Sequence, residues 1–161
     1  MQNAITFKKN LVYHSISPEF SEAKTEWEVV NICKSQGSHC ICGKEIANVY
    51  IIYNKFNDAT LEIGCDCANH IKGTLAYDQI AAGKKIINKL QKYKNEADKE
   101  SGDVTNILLD VKSLYFLHND LEYINKKEYI FMTNMIGWKN KSIKQLAAYK
   151  IIMNRLVNKI F

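Results

Sequence analysis

The chain has 161 residues, 47% of them hydrophobic and 24% charged, enough for one domain or two small ones with a buried core, and this excludes a disulfide-stapled miniprotein. No stretch approaches the ~18 consecutive apolar residues of a membrane span. The N-terminal Met1–Lys9 has its lysines behind its apolar residues and no apolar signal core after them, so no membrane association and a cytoplasmic protein are expected. The net charge of +5 is uneven: residues 1–75 hold seven Lys against eight acidic residues, a net of −1, and residues 76–161 hold fifteen Lys or Arg against nine, a net of +6. A basic C-terminal half points to an acidic partner such as nucleic acid. Arg155 is the single arginine among the 22 basic residues, which argues against reading of guanine edges in a duplex.

Taken in chain order, Ile5, Phe7, Leu11 and Tyr13 alternate loosely and predict a strand or extended arm over 4–16. Ser17-Pro18-Glu19 predicts a helix start, with Ser as cap and Pro in the first turn, running to about Trp27. A strand is expected over 28–33, a loop over 34–38 and a second strand over 46–53. Asn54–Asp58 is turn chemistry, and 60–64 is the returning strand of a hairpin. Cys65 to about Leu75 predicts a helix. Beyond residue 76 the period becomes helical, with Ile86, Leu90, Tyr93 and Ala97 on one apolar face. Gly102 ends that helix, and Asp103 is expected to cap another over 103–117 with Val104, Ile107, Leu108, Val111, Leu114 and Tyr115 inward. A further helix is expected over 120–135. Ser142-Ile-Lys-Gln145 is a capping box opening a last helix with Ile143, Leu146, Met153, Val157 and Ile160 inward.

All five cysteines lie between Cys33 and Cys67. Clustered soft donors in pairs, separated by strand-like sequence, are how a small domain builds a tetrahedral zinc site. A tight turn closed by Gly43 aims Cys40 and Cys42 at one point, and a hairpin of about twenty residues returns Cys65 and Cys67 toward it at a helix start. The expected metal set is Cys40, Cys42, Cys65 and Cys67 around a structural Zn²⁺. Both pairs are Cys-x-Cys rather than Cys-x-x-Cys, and Cys33, His39 and His70 are further donors. Cys40, Cys42 and Cys67 are the firmest three, and the fourth place is open among Cys65, Cys33 and His70. A redox dithiol or an iron–sulfur cluster fits this spacing less well. Glu45 lies three residues past Cys42, but the zinc-deaminase pattern is absent. So are a phosphate loop, a dinucleotide fingerprint and a Ser/His/Asp order, and an enzyme is not expected.

The run Trp27-Glu-Val-Val, His39-Cys40-Ile-Cys42-Gly43, Tyr50-Ile-Ile-Tyr-Asn54 and Ile63-Gly64-Cys65-Asp-Cys67 resembles a Cys-x-Cys-Gly zinc-finger module found in uncharacterised proteins of phages and large DNA viruses. The resemblance covers about 45 residues. It implies Cys40, Cys42 and Cys67 as matching ligands with Cys65 extra, and a mobile-element origin, hence the host cytoplasm as the place of action.

The fold expected is α+β: a zinc-bound β-hairpin module of treble-clef or ribbon-like kind over 1–75, packed on a helical bundle of three or four helices over 76–161. Lys84, Lys85, Lys89 and Lys92 form a basic helix flank suited to phosphate contacts. Tyr50, Tyr53 and Phe56 around the hairpin are candidates for base stacking or for simple packing. The expected function is a zinc-stabilised, non-catalytic nucleic-acid-binding protein. The alternative is a phage counter-defence protein of anti-CRISPR type that binds a host nuclease or its guide complex.

Overall fold

The computed structural model describes residues 1–161 and is α+β. Its elements are α1 (Gln2–Tyr13), α2 (Phe20–Ala23), β1 (Trp27–His39), β2 (Glu45–Asn54), β3 (Thr60–Ile63), α3 (Cys65–Ala68), α4 (Leu75–Ala97), α5 (Val111–Tyr115), α6 (Lys126–Ile136) and α7 (Ile143–Ile160). The chain divides into two compact units, Met1–Lys84 and Lys85–Phe161. The division falls inside α4 rather than at the change of period near residue 75. No helix is long and apolar enough to cross a membrane.

The first unit is built on an antiparallel sheet in the order β1-β2-β3. Its buried side chains include Trp27, Ile32, Ile52 and Ile63 from the strands and Phe7 and Leu11 from α1. The N-terminal segment is therefore a helix and not the strand or arm expected from loose alternation. Phe7 and Leu11, four apart, share one helical face and are wholly buried, while Ile5 and Tyr13 are exposed. The helix expected after Ser17-Pro18 shrinks to the four residues of α2 and one 3₁₀ turn, Lys24–Glu26. Its N-cap is Glu19, not Ser17. Ser17 Oγ accepts from the Glu19 N–H at 3.3 Å and donates to Glu22 at 2.9 Å.

β1 continues to His39 through the expected loop at 34–38, because two irregularities absorb extra residues. At the first, Val29 faces Ile52 and Asn31 faces Ile51, so Val30 is extra and turns outward. Next to it, the buried Val29 N–H donates to Gln79 Oε1 of α4 at 2.6 Å. The start of α4 lies on the same sheet. A Cβ on the buried Gly83 would stand 3.0 Å from Tyr50 Cε1 and 3.2 Å from Ile32 Cγ2, and both of those side chains are fully buried. Ala is the better helix former by about 1 kcal/mol, yet overpacking at such a contact costs about 1–3 kcal/mol. Gly83→Ala is therefore expected to lower the urea unfolding midpoint; an unchanged or raised midpoint would show that Tyr50 gives way freely.

The second unit is helical. Ile86, Leu90 and Tyr93 of α4 are buried as expected, while Ala97 is exposed. Tyr93 stacks edge-on against Tyr149 of α7, with ring centres 6.2 Å apart, and donates to Asn154 Oδ1 at 2.9 Å. The helix expected over 103–117 begins only at Val111. Asp103 folds into a local turn onto the Thr105 N–H, and Asp110 takes the capping role, accepting from Ser113 N at 2.7 Å. Val104, Ile107 and Leu114 are buried, but Val111 and Tyr115 are half exposed. After α5 the chain makes one π-helical turn, Phe116–Asp120. α6 starts at Lys126, not 120, because Asn125 and Glu128 form a capping box there. The capping box of Ser142 and Gln145 opens α7 as expected. Met153 and Ile160 point inward, Leu146 and Val157 are partly covered, and Ile143 is 88% exposed in the first turn. Tyr149, Ile152 and Leu156 complete the buried face.

Candidate metal centre

The site grows out of two chain reversals. After β1, a tight turn is closed by Cys40 N–H to Lys44 O at 2.9 Å and by Gly43 N–H to Cys40 O at 2.7 Å. Gly43 has φ +90°, a conformation that other residues adopt at a cost. The Ile41 N–H donates to Glu62 O of β3 at 3.1 Å, and Asn10 Nδ2 of α1 donates to Ile41 O at 2.6 Å. The turn is thus pinned to a strand and a helix on either side. At the far end of the hairpin, β3 runs into α3, and its first turn carries Cys67.

The Sγ atoms of Cys40, Cys42 and Cys67 all lie within 4.8 Å of one another. Each of the three residues is buried, with at most 7% exposure. Thiolates around one tetrahedral zinc, at about 2.3 Å each, stand roughly 3.8 Å apart, so only small movements separate this cluster from a ligated one. Backbone N–H groups also face the sulfurs: those of Cys42 and Gly64 face Cys40, and that of Lys44 faces Cys42. Such donors favour the ionised ligand.

Without a cation the three thiols cannot all ionise. Burial pushes the Cys40 thiol up. Burial also works against Cys42, but the Lys44 N–H and the Cys67 and Cys40 thiols outweigh it and hold Cys42 below the ordinary thiol range. Burial, then the neighbouring Cys42 and Cys40, drive Cys67 far above that range. A divalent cation reverses this order, because it binds only deprotonated sulfur. Three buried, converging thiols with N–H donors therefore fit a metal ion.

The other expected donors stand apart from this cluster. Cys65 is half-buried, its Sγ 4.0 Å from Asp66 Oδ1; burial raises the Tyr50 phenol, and the nearby Cys65 adds to it. Cys33 lies mid-strand on the edge strand β1, paired with Val49 of β2. His39 is exposed and pairs with Glu45 across the strands. The His70 ring packs on Phe7 with centres 5.5 Å apart.

The four lysines also separate. Lys84 belongs to the first unit, where the Lys44 ion pair at 2.9 Å holds the Asp66 carboxyl down and Lys84 adds to it. Lys85, Lys89 and Lys92, spaced by four and three, line one groove of the second unit with Asn88, Asp110 and Ser113. The groove encloses about 280 Å³, and Lys85 Nζ lies 4.0 Å from Asp110. The sequence reading missed Asp110, although Asp110-Val-Lys-Ser113 carries a side-chain cap signature of its own. Tyr50 is wholly buried and unavailable for stacking, whereas Phe56 is 67% exposed.

Fold and site together define an α+β protein with a cluster of three cysteines able to hold a metal ion. Comparison with protein-family models, with curated proteins and with solved structures found no match.

Proposed function

We propose that this is a zinc-stabilised, non-catalytic nucleic-acid-binding protein of the kind phages and mobile elements encode. Zinc is the metal that best suits buried cysteine thiolates held by a Gly-closed turn. Its part is structural: it ties the Cys40–Cys42 turn to α3, adding to the Ile41–Glu62 hydrogen bond and the exposed Lys44–Asp66 ion pair that already join them. The observation that carries nucleic-acid binding is the groove along α4, where Lys85, Lys89 and Lys92 share one face in a half of the chain with net charge +6. Asn88, exposed beside them, adds a neutral group able to hydrogen-bond phosphate oxygens.

Three phosphate contacts predict that log K falls with log salt at a slope of about −2 to −3. Fluorescence anisotropy with labelled single-stranded DNA, RNA and duplex DNA, at about 50 and 200 mM salt, measures that slope. Replacing Lys85, Lys89 and Lys92 together by Gln is expected to remove most of it. Asp110→Asn keeps an oxygen for the Ser113 N–H and removes the opposing charge, so it is expected to tighten binding by about two- to fivefold. Absence of binding to all three probes at the lower salt would sink the proposal.

A further inference from the structure

We infer that the metal site keeps one coordination position open and takes there a neutral nitrogen donor from outside this chain, of the imidazole type. This rests on the cysteine cluster being a zinc site. Zinc takes four donors, and this chain brings three together. The same three cysteines line a cavity of about 230 Å³ whose rim includes Lys44, Glu45 and Asp66. The cluster is therefore not sealed in apolar packing on every side, as a closed structural site is. Cys65 also borders the cavity, but its sulfur is not among those that converge.

Charge selects the kind of donor. Three thiolates and one divalent cation sum to −1. On the rim Glu45 and Asp66 are acidic, and Lys44 is already engaged by Asp66 at 2.9 Å. A fourth anion would bring the centre to −2 beside the Glu45 carboxylate, with Asp66 already paired to Lys44, and the two would repel. A neutral imidazole leaves the centre at −1 and matches the donor preference of zinc. The donor this charge balance fits is a histidine side chain of a partner.

The test uses the 161-residue chain loaded with cobalt(II), whose charge-transfer intensity counts thiolates and whose d–d bands report the fourth ligand. Three thiolates per cobalt are expected, unchanged in Cys65→Ser, His39→Ala and His70→Ala. Imidazole should shift the d–d bands saturably, and acetate should not. Four thiolates, loss of one in Cys65→Ser, a band shift in either histidine variant, or bands indifferent to imidazole would each overturn the open position or its donor while leaving the metal reading intact. Failure of the wild-type chain to bind cobalt or zinc would overturn both.

Discussion

Cys67→Ser is expected to abolish equimolar zinc binding and to unfold the N-terminal unit well below the wild-type transition. Cys67 is the one converging sulfur supplied by the far end of the hairpin. Without it a metal joins Cys40 only to Cys42, two residues away, and holds nothing together. Ligand bound to the native state alone adds about 4 kcal/mol when free zinc exceeds Kd a thousandfold, and that contribution vanishes with the site. Part of the unit should survive, because Phe7, Leu11, Trp27, Ile32 and Ile52 are buried apolar side chains that do not ligate the metal. Metal content by mass spectrometry, and thermal unfolding with and without chelator, read the effect. Cys33→Ser, in mid-strand opposite Val49, is expected to keep its zinc. Full metal content and an unshifted transition in Cys67→Ser would remove the basis of the zinc reading.

The second large effect is expected at Glu26, a carboxylate only 5% exposed. Its two oxygens accept from Ile16 N at 2.8 Å, Ser17 N at 2.8 Å and Asn54 Nδ2 at 2.6 Å. Asn54 is itself wholly buried, and its Oδ1 takes the Phe56 N–H at 2.9 Å, so the pair joins the segment after α1 to the hairpin turn. Every partner of Glu26 is a donor. Glu26→Gln therefore turns an NH₂ group toward at least one of them, at an expected cost of about 3 kcal/mol or more.

The pH dependence follows from the same contacts. Burial raises the Glu26 carboxyl, but the hydrogen bonds from Ile16, Asn54 and Ser17 outweigh it, and its pKa lies below the ordinary value of 4.5. A carboxyl depressed on folding adds stability above its unfolded pKa, and that stability is lost as pH falls through the folded value. Urea unfolding between about pH 6 and pH 3 should show wild type losing its advantage over Glu26→Gln as the pH drops. A stability gap that stays constant across this range would show that the Glu26 charge is not what the site uses.

Much of the fold was legible where a few neighbouring residues carry the instruction. Ser142 and Gln145 bond reciprocally within one turn, so the start of α7 could be read directly. The hairpin followed from β-branched runs around Asn54–Asp58, and its Asn54 side chain caps that turn from inside. The errors arose where one local pattern allowed two answers. Phe7 and Leu11 suit a helix, while Ile5, Phe7, Leu11 and Tyr13 together mimic alternation. Only the burial of the first pair, and not of Ile5 or Tyr13, separates the two. Asp103 and Asp110 are both plausible caps, and the chain uses the first for a turn and the second for a helix.

By itself the sequence determined the α+β class, the hairpin, and the presence of a cysteine cluster with Cys40, Cys42 and Cys67 at its heart. These depend on residue type, spacing and turn chemistry, which act over short stretches of chain. Tertiary structure decided which donors converge. Cys65 and Cys67 are two residues apart and border one cavity, yet only the Cys67 sulfur converges with those of Cys40 and Cys42. It also decided which lysines act together, since one residue along α4 is a rotation of about 100°. That rotation leaves Lys84 near Asp66 and Lys85 in the groove with Lys89 and Lys92. Direction in space depends on strand register and helix phase, and those are set by packing across the chain rather than within it.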